Sequence, residues 1–237
     1  MLQKTKAIIL NSIKYADTSL IVNCYTKEYG VKTYLVKGVL KSKKGNLKKA
    51  YFLPLTQLDM VAYHNDKGNL NSIKEAQVSN FYQTLHTDIV KQSLVFFISE
   101  VLYAVLKEEE ENHGMFQFIE SSLIWLDTHN KIANFHLLFL LNLTKYLGFY
   151  PDTTSQTNYF DMLEGRFVVN MPAKDYIIKP QINSFIKLLG INFDNLPSMK
   201  ITPYQRQELL ELLIQYISLH LQTFKKPNSL QILKELF

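Results

Sequence analysis

The chain has 237 residues, and its 47% hydrophobic and 20% charged side chains are typical of a folded protein rather than a disordered one. Its single cysteine, Cys24, excludes an internal disulfide and any zinc site built on two or more cysteines. The net charge of +5 is unevenly distributed: residues 1–75 hold 13 lysines against five acidic residues, whereas the remainder is mildly acidic.

The first residues contain only a short apolar run, at residues 7–10, which is too brief for a secretory signal. No apolar run approaches the ~18 residues that a membrane-spanning helix needs. We therefore expect a soluble, cytoplasmic protein.

The first 75 residues predict five short antiparallel strands, rich in Val, Ile, Thr and Tyr and separated by turn residues such as Gly30. The predicted strands are residues 5–10, 20–26, 31–37, 55–64 and 70–75. Five such strands in so short a segment are typical of the OB-fold, a small barrel that closes its own edges and binds oligonucleotides.

After residue 80 the apolar spacing changes to that of helices. Gly148 is placed to end one helix, and Thr202 and Gln205 predict a capping box at the start of another. The predicted helices are residues 88–108, 115–126, 132–147, 181–189, 202–221 and 229–236. The sequence thus predicts an α+β protein with a five-stranded OB-fold domain at 1–79 and an all-helical domain at 80–237, interrupted by an irregular insertion at about 152–175.

The densest charge lies just after the third predicted strand, where thirteen residues hold six lysines and no acid. Such a positive field attracts phosphates and releases their counterions. Because the chain has only two arginines among 26 basic residues, a solvated lysine-rich loop is the competing interpretation. The charge favours nucleic-acid binding, and the six candidate residues are Lys37, Lys41, Lys43, Lys44, Lys48 and Lys49.

Aromatic residues flank this basic region and could stack on bases. Tyr34 shares a predicted strand face with Lys32, so both are further DNA-binding candidates. Tyr25, Tyr29 and Tyr51 could equally stack on bases or fill the barrel.

The sequence contains no phosphate-binding glycine motif and no histidine pair with metal-ligand spacing. The acidic residues 108–111 read as a solvated helix end, because consecutive helical side chains point around the axis. Asp161 and Glu164 could bind a cation, but no nucleophile, base and orienting group come together. These observations predict a binding protein with no catalytic residue, metal or cofactor.

Several segments, in this order, resemble the RecO family of DNA repair proteins. They are KTKAIIL at 4–10, LIVNCYT at 20–26, YLVKGVLKSKK at 34–44, KYLGFYP at 145–151, YISLH at 216–220 and SLQIL at 229–233. The resemblance covers nearly the whole chain. Its high lysine content is similar to that of family members from Bacteroidetes-type bacteria. The resemblance implies an N-terminal OB-fold and a C-terminal helical domain.

The resemblance further implies a nucleoid-associated recombination mediator without enzymatic activity. Such a protein binds single- and double-stranded DNA, anneals complementary strands, binds the acidic tail of single-stranded DNA-binding protein, joins RecR and helps to load RecA. Lys37, Lys41, Lys43 and Lys44 match the basic segment of the family, whereas Lys48 and Lys49 extend it by charge alone. Lys145 and Arg206 are the candidate cations for the partner tail.

Two other functions remain compatible with the same residues. An RNA-binding or ribosome-associated OB-fold protein would use the same barrel and lysines. A nuclease that uses Asp161 and Glu164 with a divalent ion is a weaker alternative.

The insertion departs from the family pattern. Many members of the RecO family carry a four-cysteine zinc site at its start, but residues 152–166 of this chain contain neither cysteine nor histidine. We therefore predict no structural zinc and expect Tyr159, Phe160, Leu163 and Phe167 to hold the insertion by packing.

Overall fold

A computed structural model describes residues 2–41, 47–64, 70–106 and 111–237. These residues form two compact units. The first unit contains the chain up to Thr128 together with Pro227–Ser229, and the second contains His129–Lys226 and Leu230–Phe237.

The first unit is built on a closed barrel of five strands, which confirms the predicted OB-like fold. The strands are β1 (Leu2–Tyr15), β2 (Ser19–Thr26), β3 (Gly30–Val36), β4 (Gln57–Tyr63) and β5 (Asn71–Val78). Their order around the barrel is β1-β2-β3-β5-β4. One detail of the prediction was wrong: β3 pairs with β5 in parallel, and this pairing closes the barrel.

Strand β1 is much longer than predicted and contacts two neighbours in turn. Its first half pairs with β4 and its second half pairs only with β2 among the described strands, with a register shift between Ile9 and Asn11. A bulge of this kind bends a strand and re-aims its side chains. As a result, the β1–β2 hairpin extends past the region where β4 covers β1.

The barrel interior is filled by apolar side chains contributed by all five strands. On β2 the inward residues are Leu20, Val22 and Cys24, and on β3 they are Tyr34 and Val36. This burial raises the pKa of the Cys24 thiol, which stays neutral.

Two helices complete the first unit, α1 (Ile89–Val105) and α2 (His113–Thr128). Asp127 of α2 accepts hydrogen bonds from the backbone N–H groups of Gln83, Thr84 and Leu85, at 2.8–2.9 Å. The Nζ of Lys91 on α1 donates to the Thr84 hydroxyl and to the Asp127 carbonyl, each at 2.7 Å. These bonds fix the connection between β5 and α1 to both helices.

The second unit is helical, as predicted. Helix α3 (Phe135–Tyr146) is buried on nearly all sides. The predicted capping box of Thr202 and Gln205 is confirmed at the start of the helix that begins at Pro203. The sequence predicts Gly30 in a turn and Gly148 at the end of a helix. Both residues have a positive φ, of 61° and 86°. The other helices are α4 (Gln181–Leu189), α5 (Pro203–His220) and α6 (Leu230–Leu236).

The insertion is more regular than predicted, because it contains a three-stranded sheet of β6 (Tyr159–Asp161), β7 (Arg166–Val168) and β8 (Tyr176–Ile177) in the order β7-β6-β8. Phe160 and Phe167 are buried in this sheet, as expected, and Tyr159 is half-buried. The expectation for Leu163 was wrong: it is 46% exposed, and its neighbour Met162 is buried instead.

The strands of the barrel end at Val78 and the first helix begins at Ile89. The division into domains 1–79 and 80–237 remains a prediction. In the structure, α1 and α2 belong to the same compact unit as the barrel. Over the four described ranges, no helix has both the length and the hydropathy required to cross a bilayer.

Candidate nucleic-acid interface

The basic segment, residues 37–49, begins where β3 leaves the barrel. A turn at Gly38 is closed by the Lys41 N–H, which donates to the Gly38 carbonyl at 3.2 Å. Val39 is buried in the barrel core, and the Leu40 N–H donates to the Thr18 carbonyl in the β1–β2 turn at 3.0 Å. The start of the segment is therefore anchored to the tip of the β1–β2 hairpin.

The end of the segment is anchored to the same hairpin. Leu47 packs against the barrel core, and Phe52 is buried in it at the end of a short 3-10 turn, Lys49–Phe52. The Ser12 hydroxyl of β1 donates to the Phe52 carbonyl at 2.7 Å. Apolar residues thus bind both ends of the segment to the barrel.

Four of the six candidate lysines can be located, and all four are exposed: Lys37, Lys41, Lys48 and Lys49. Lys43 and Lys44 lie outside the described residues. Lys14, near the end of β1, adds a fifth exposed lysine beside the β1–β2 turn, and Asp17 in that turn is the nearest acid along the chain. The arrangement gathers positive charge at one end of the hairpin.

The extended hairpin also carries an apolar row on its outer face. Ile13 pairs with Ile21, and Ile21 pairs with Leu35, so the three side chains follow one another across β1, β2 and β3. Ile13 is 55% exposed, and Tyr15, two residues further along β1, is 49% exposed. We call these four residues the outer row.

A polar row lies next to it on the same three strands. The Asn23 amide donates to the Asn11 side-chain oxygen at 2.7 Å, and the Thr33 hydroxyl donates to the Asn23 oxygen at 2.6 Å. These bonds join β1, β2 and β3 side by side, so the outer row lies on a firmly paired piece of sheet. A flat apolar surface beside lysines can accept bases while the lysines hold phosphates.

Tyr34 is located in the barrel core and not at this surface. It is fully buried, and its hydroxyl lies 2.8 Å from Nε2 of His64. Burial raises the pKa of the Tyr34 phenol, with smaller contributions from Cys24 and Tyr29. Lys32 lies on the same side of β3, opposite Cys24, and is half-buried. The ring of Tyr34 is therefore enclosed, which leaves no face for a base.

None of the other three candidate tyrosines is fully exposed. Tyr25 is buried against Phe116 of α2 and donates to the Asn112 carbonyl, and burial raises its pKa to about 12. Tyr29 donates to the Gln3 side chain at 2.8 Å and is half-buried. Tyr51 is half-buried against the barrel core, next to Lys48 and Lys49.

The two cations proposed for a partner tail lie at opposite ends of α3. Arg206 donates from Nε to the Asn134 side chain, the residue just before α3, at 2.8 Å, and from its guanidinium to the Phe237 carbonyl. Burial lowers the pKa of Arg206. Burial of His136 and, to a smaller extent, the charge of Arg206 lower the pKa of that imidazole to about 3. Lys145 is exposed in the last turn of α3, about 16 Å of helical rise from Asn134.

The candidate cation ligands of the insertion have other partners. Asp161 accepts from the backbone N–H groups of Leu163 and Glu164, at 2.9 and 3.0 Å, and Glu164 lies 3.6 Å from Arg166. Within the described part of the chain, no three His, Cys, Asp or Glu side chains form a group that could hold a metal ion.

Sequence reasoning missed Lys14 and the outer row, because the first strand was predicted to end at residue 10. The signal was present: Ser12, Ile13, Lys14 and Tyr15 alternate polar and apolar, as a strand with one solvent-facing side does. The bulge after Ile9 interrupts the alternation and hides the continuation.

Comparison with known proteins identifies the family. The model for the N-terminal part of recombination protein O matches residues 1–82, and the model for its C-terminal part matches residues 86–230. The DNA repair protein RecO of Flavobacterium psychrophilum is 46% identical over 235 residues, which are 99% of this chain and 98% of that protein.

More distant relatives show the same coverage. DNA repair protein RecO of Christiangramia forsetii is 44% identical over 239 residues, and that of Porphyromonas gingivalis is 30% identical over 244 residues. Both alignments cover 100% of each chain. The barrel, the helical region that follows it and these matches agree along the full length. This chain therefore belongs to the RecO family and has a role in DNA repair and recombination.

Proposed function

We propose that this protein binds single- and double-stranded DNA through the basic segment and acts as a non-enzymatic recombination mediator. The observation that carries the proposal is the exposure of Lys37, Lys41, Lys48 and Lys49 on a segment anchored to the barrel by the buried Val39 and, just after it, the buried Phe52. A lysine is a point charge with no fixed donor geometry, so it holds phosphates without reading sequence.

Strand annealing follows from the same chemistry. Two complementary strands repel each other until their phosphate charge is neutralised, and a lysine field supplies that neutralisation without any bond being made or broken. Bases left free on the outer row, beside the lysines, would be available for pairing. A protein with this function would act on DNA at the nucleoid.

The protein partners are proposed from the family resemblance. They are the acidic tail of single-stranded DNA-binding protein, RecR and, indirectly, RecA. Lys145 is exposed and available to an acidic tail, whereas the guanidinium of Arg206 is already bonded to Asn134 and Phe237. We therefore expect Lys145→Ala to affect tail binding more directly than Arg206→Ala, which would also disturb the packing of α3.

The test of DNA binding is a salt titration with a labelled single strand, for the wild type and for a variant with Lys37, Lys41, Lys48 and Lys49 replaced by alanine. Each lost phosphate contact on a single strand flattens the slope of log K against log salt by about 0.7. We expect the variant to lose about 2–3 units of slope and to bind at least about tenfold more weakly at low salt. Fluorescence anisotropy measures both quantities.

The matched control replaces four exposed lysines of the second unit, Lys174, Lys179, Lys187 and Lys200. It changes the net charge equally, so its slope should stay close to that of the wild type. Equal slopes for all three proteins would contradict the proposed site. Tighter binding of an RNA strand than of the same DNA sequence would favour the RNA-binding alternative.

A second prediction concerns the outer row. Stacking of a base on an aromatic ring contributes about 1–3 kcal/mol, so Tyr15→Ser should weaken binding of a normal single strand by roughly tenfold. The same substitution should leave binding of an abasic strand unchanged, because no base is present to stack. The two affinities are measured by competition against one labelled strand.

Tyr63 is the control for this prediction. It is 47% exposed, similar to Tyr15, and it pairs with Leu2 at the other end of β1. Tyr63→Ser should affect neither strand. A loss on the abasic strand as large as that on the normal strand would mean that Tyr15 does not stack on bases.

A further inference from the structure

Helix α1 has a narrow exposed stripe made only of large apolar side chains. All 17 of its residues are described, and just three of them are exposed: Ile89 (76%), Phe96 (52%) and Tyr103 (45%). They are spaced by seven residues, which places them on one face with a drift of about 20° per step. The stripe runs about 21 Å along the helix.

The same helix presents no exposed charge. Its two charged residues, Lys91 and Glu100, both have partners: Lys91 is buried against Thr84 and Asp127, and Glu100 accepts from the N–H and hydroxyl of Ser229, at 2.9 and 2.8 Å. A solvent-facing helix normally carries charged residues on its outer side. An uncharged outer side with three large apolar residues is typical of a helix that packs against another.

The stripe is symmetric about Phe96, with an apolar residue seven positions away on each side. If a second α1 is laid antiparallel across it, Phe96 meets Phe96 at the two-fold axis, and Ile89 of each copy meets Tyr103 of the other. A two-fold interface requires this self-complementarity, in which one patch faces its own copy. No exposed charge lies between Ile89 and Val105, so no like charges face each other within this stretch, and the exposed N-cap Asp88 lies just beyond it.

We propose that two copies of this chain associate through α1 in an antiparallel arrangement centred on Phe96. Three exposed side chains per copy bury less than the ~800 Å² per partner of a standard stable interface, so the dimer is weak and forms at micromolar or higher concentration. A dimer would carry two basic segments in one particle, one for each strand to be annealed. That consequence rests on the proposed function, whereas the dimer itself does not.

Single-cysteine cross-linking tests the arrangement in the full chain without DNA. Cys24 is fully buried and its thiol pKa is raised, so the wild type with a short bis-maleimide serves as the background. Phe96→Cys should cross-link to itself. Ile89→Cys and Tyr103→Cys should each fail to cross-link alone but should cross-link when the two proteins are mixed, because antiparallel pairing joins unlike ends.

Sedimentation equilibrium measures the affinity independently. Phe96→Glu places two like charges at the axis and should raise the dimer dissociation constant by at least tenfold, whereas Ile124→Glu, at a 40% exposed position of α2, should leave it unchanged. A chain that stays monomeric at every concentration overturns the proposal. So does a dimer that survives Phe96→Glu, or self-cross-linking of Ile89→Cys and Tyr103→Cys without the mixed product.

Discussion

Asp127→Ala is expected to destabilise the first unit by about 3–5 kcal/mol, one of the two largest stability effects that we predict for a single side chain. The substitution removes the acceptor of three backbone N–H groups at Gln83, Thr84 and Leu85. It also removes the carboxylate whose charge stabilises the buried ammonium of Lys91. Buried donors and charges that lose their partners carry their full desolvation cost.

Trp125 makes this effect measurable by fluorescence. It is the single tryptophan of the chain and lies on α2, two residues before Asp127, so its emission reports the unfolding of the first unit. Urea unfolding followed at Trp125 should show a lower midpoint for Asp127→Ala. Asp127→Asn should cost about 1–3 kcal/mol, because its amide oxygen still accepts from Thr84 and Leu85 but its amide nitrogen faces another donor at Gln83.

Protonation of Asp127 is expected to reduce the stability of the first unit at acidic pH. Burial raises the pKa of Asp127, but hydrogen bonds from Gln83, Thr84 and Leu85 outweigh burial and hold the pKa below its ordinary value of 3.8. The contribution of Asp127 is therefore complete above pH 3.8 and is lost as the pH falls through the lower folded-state pKa. The stability difference between the wild type and Asp127→Asn should narrow in that range.

The contribution of Lys91 to stability depends on pH in the opposite way. Burial lowers the pKa of Lys91, and Asp127 and Asp88 restore part of it. The cost of burying its charge is relieved as the pH rises from the folded-state pKa to 10.5, so deprotonation of Lys91 does not destabilise the fold.

Asp88 provides the control for Asp127. It also accepts two backbone N–H bonds, from Val90 and Lys91 at 2.9 and 3.0 Å, but it does so as the exposed N-cap of α1. Asp88→Ala should therefore cost about 1 kcal/mol. Equal losses for the Asp88 and Asp127 variants would show that burial adds nothing to the role of Asp127.

The sequence predicts the barrel and most of the helices because their signals are local. Alternation marks the strands, a 3.6-residue period marks the helices, and Thr202 with Gln205 marks a helix start. The parallel pairing of β3 with β5 is not a local property, because it depends on how a sheet closes after a long connection. The two- and three-residue strands of the insertion are too short to produce a readable period.

In the candidate site, too, some features follow from the local sequence and others depend on how the strands pair. The exposure of Lys37, Lys41, Lys48 and Lys49 follows from charge alone, since an uncompensated lysine stays in water. The enclosure of Tyr34 follows from the register of β3, because its side chain shares the inward side with Val36. Which side of a strand faces the core is decided by the partner strands, and an amphipathic tyrosine is compatible with either side.

The outer row and the stripe on α1 show what structure adds to periodicity. The helical spacing of α1 identifies its buried residues, but Ile89, Phe96 and Tyr103 also fit a helix that is apolar all round. The three form a separate face only because the structure buries eight of the other fourteen positions and half-buries the remaining six.

Phe160→Ala is expected to destabilise the second unit by about 3–5 kcal/mol, whereas a metal chelator is expected to leave its melting temperature unchanged. Phe160 is fully buried, and its ring lies 5.1 Å from that of Phe167, 4.9 Å from that of Phe185 and 6.0 Å from that of Tyr216. This aromatic cluster joins the insertion sheet to α4 and α5. It would supply by packing what four cysteines supply in many family members.

The two measurements separate packing from metal binding. Circular dichroism melts with and without EDTA test the metal, and amide exchange across residues 159–177 locates the loss in Phe160→Ala. Phe160→Leu keeps most of the side-chain volume and should lower the free energy of unfolding by about 1 kcal/mol. This variant should remain folded even if Phe160→Ala does not fold. Leu163→Ala, in the exposed turn of the same hairpin, should change stability by less than about 0.5 kcal/mol. Stoichiometric zinc in the purified protein, or a melting temperature that falls with EDTA, would contradict stabilisation by packing alone.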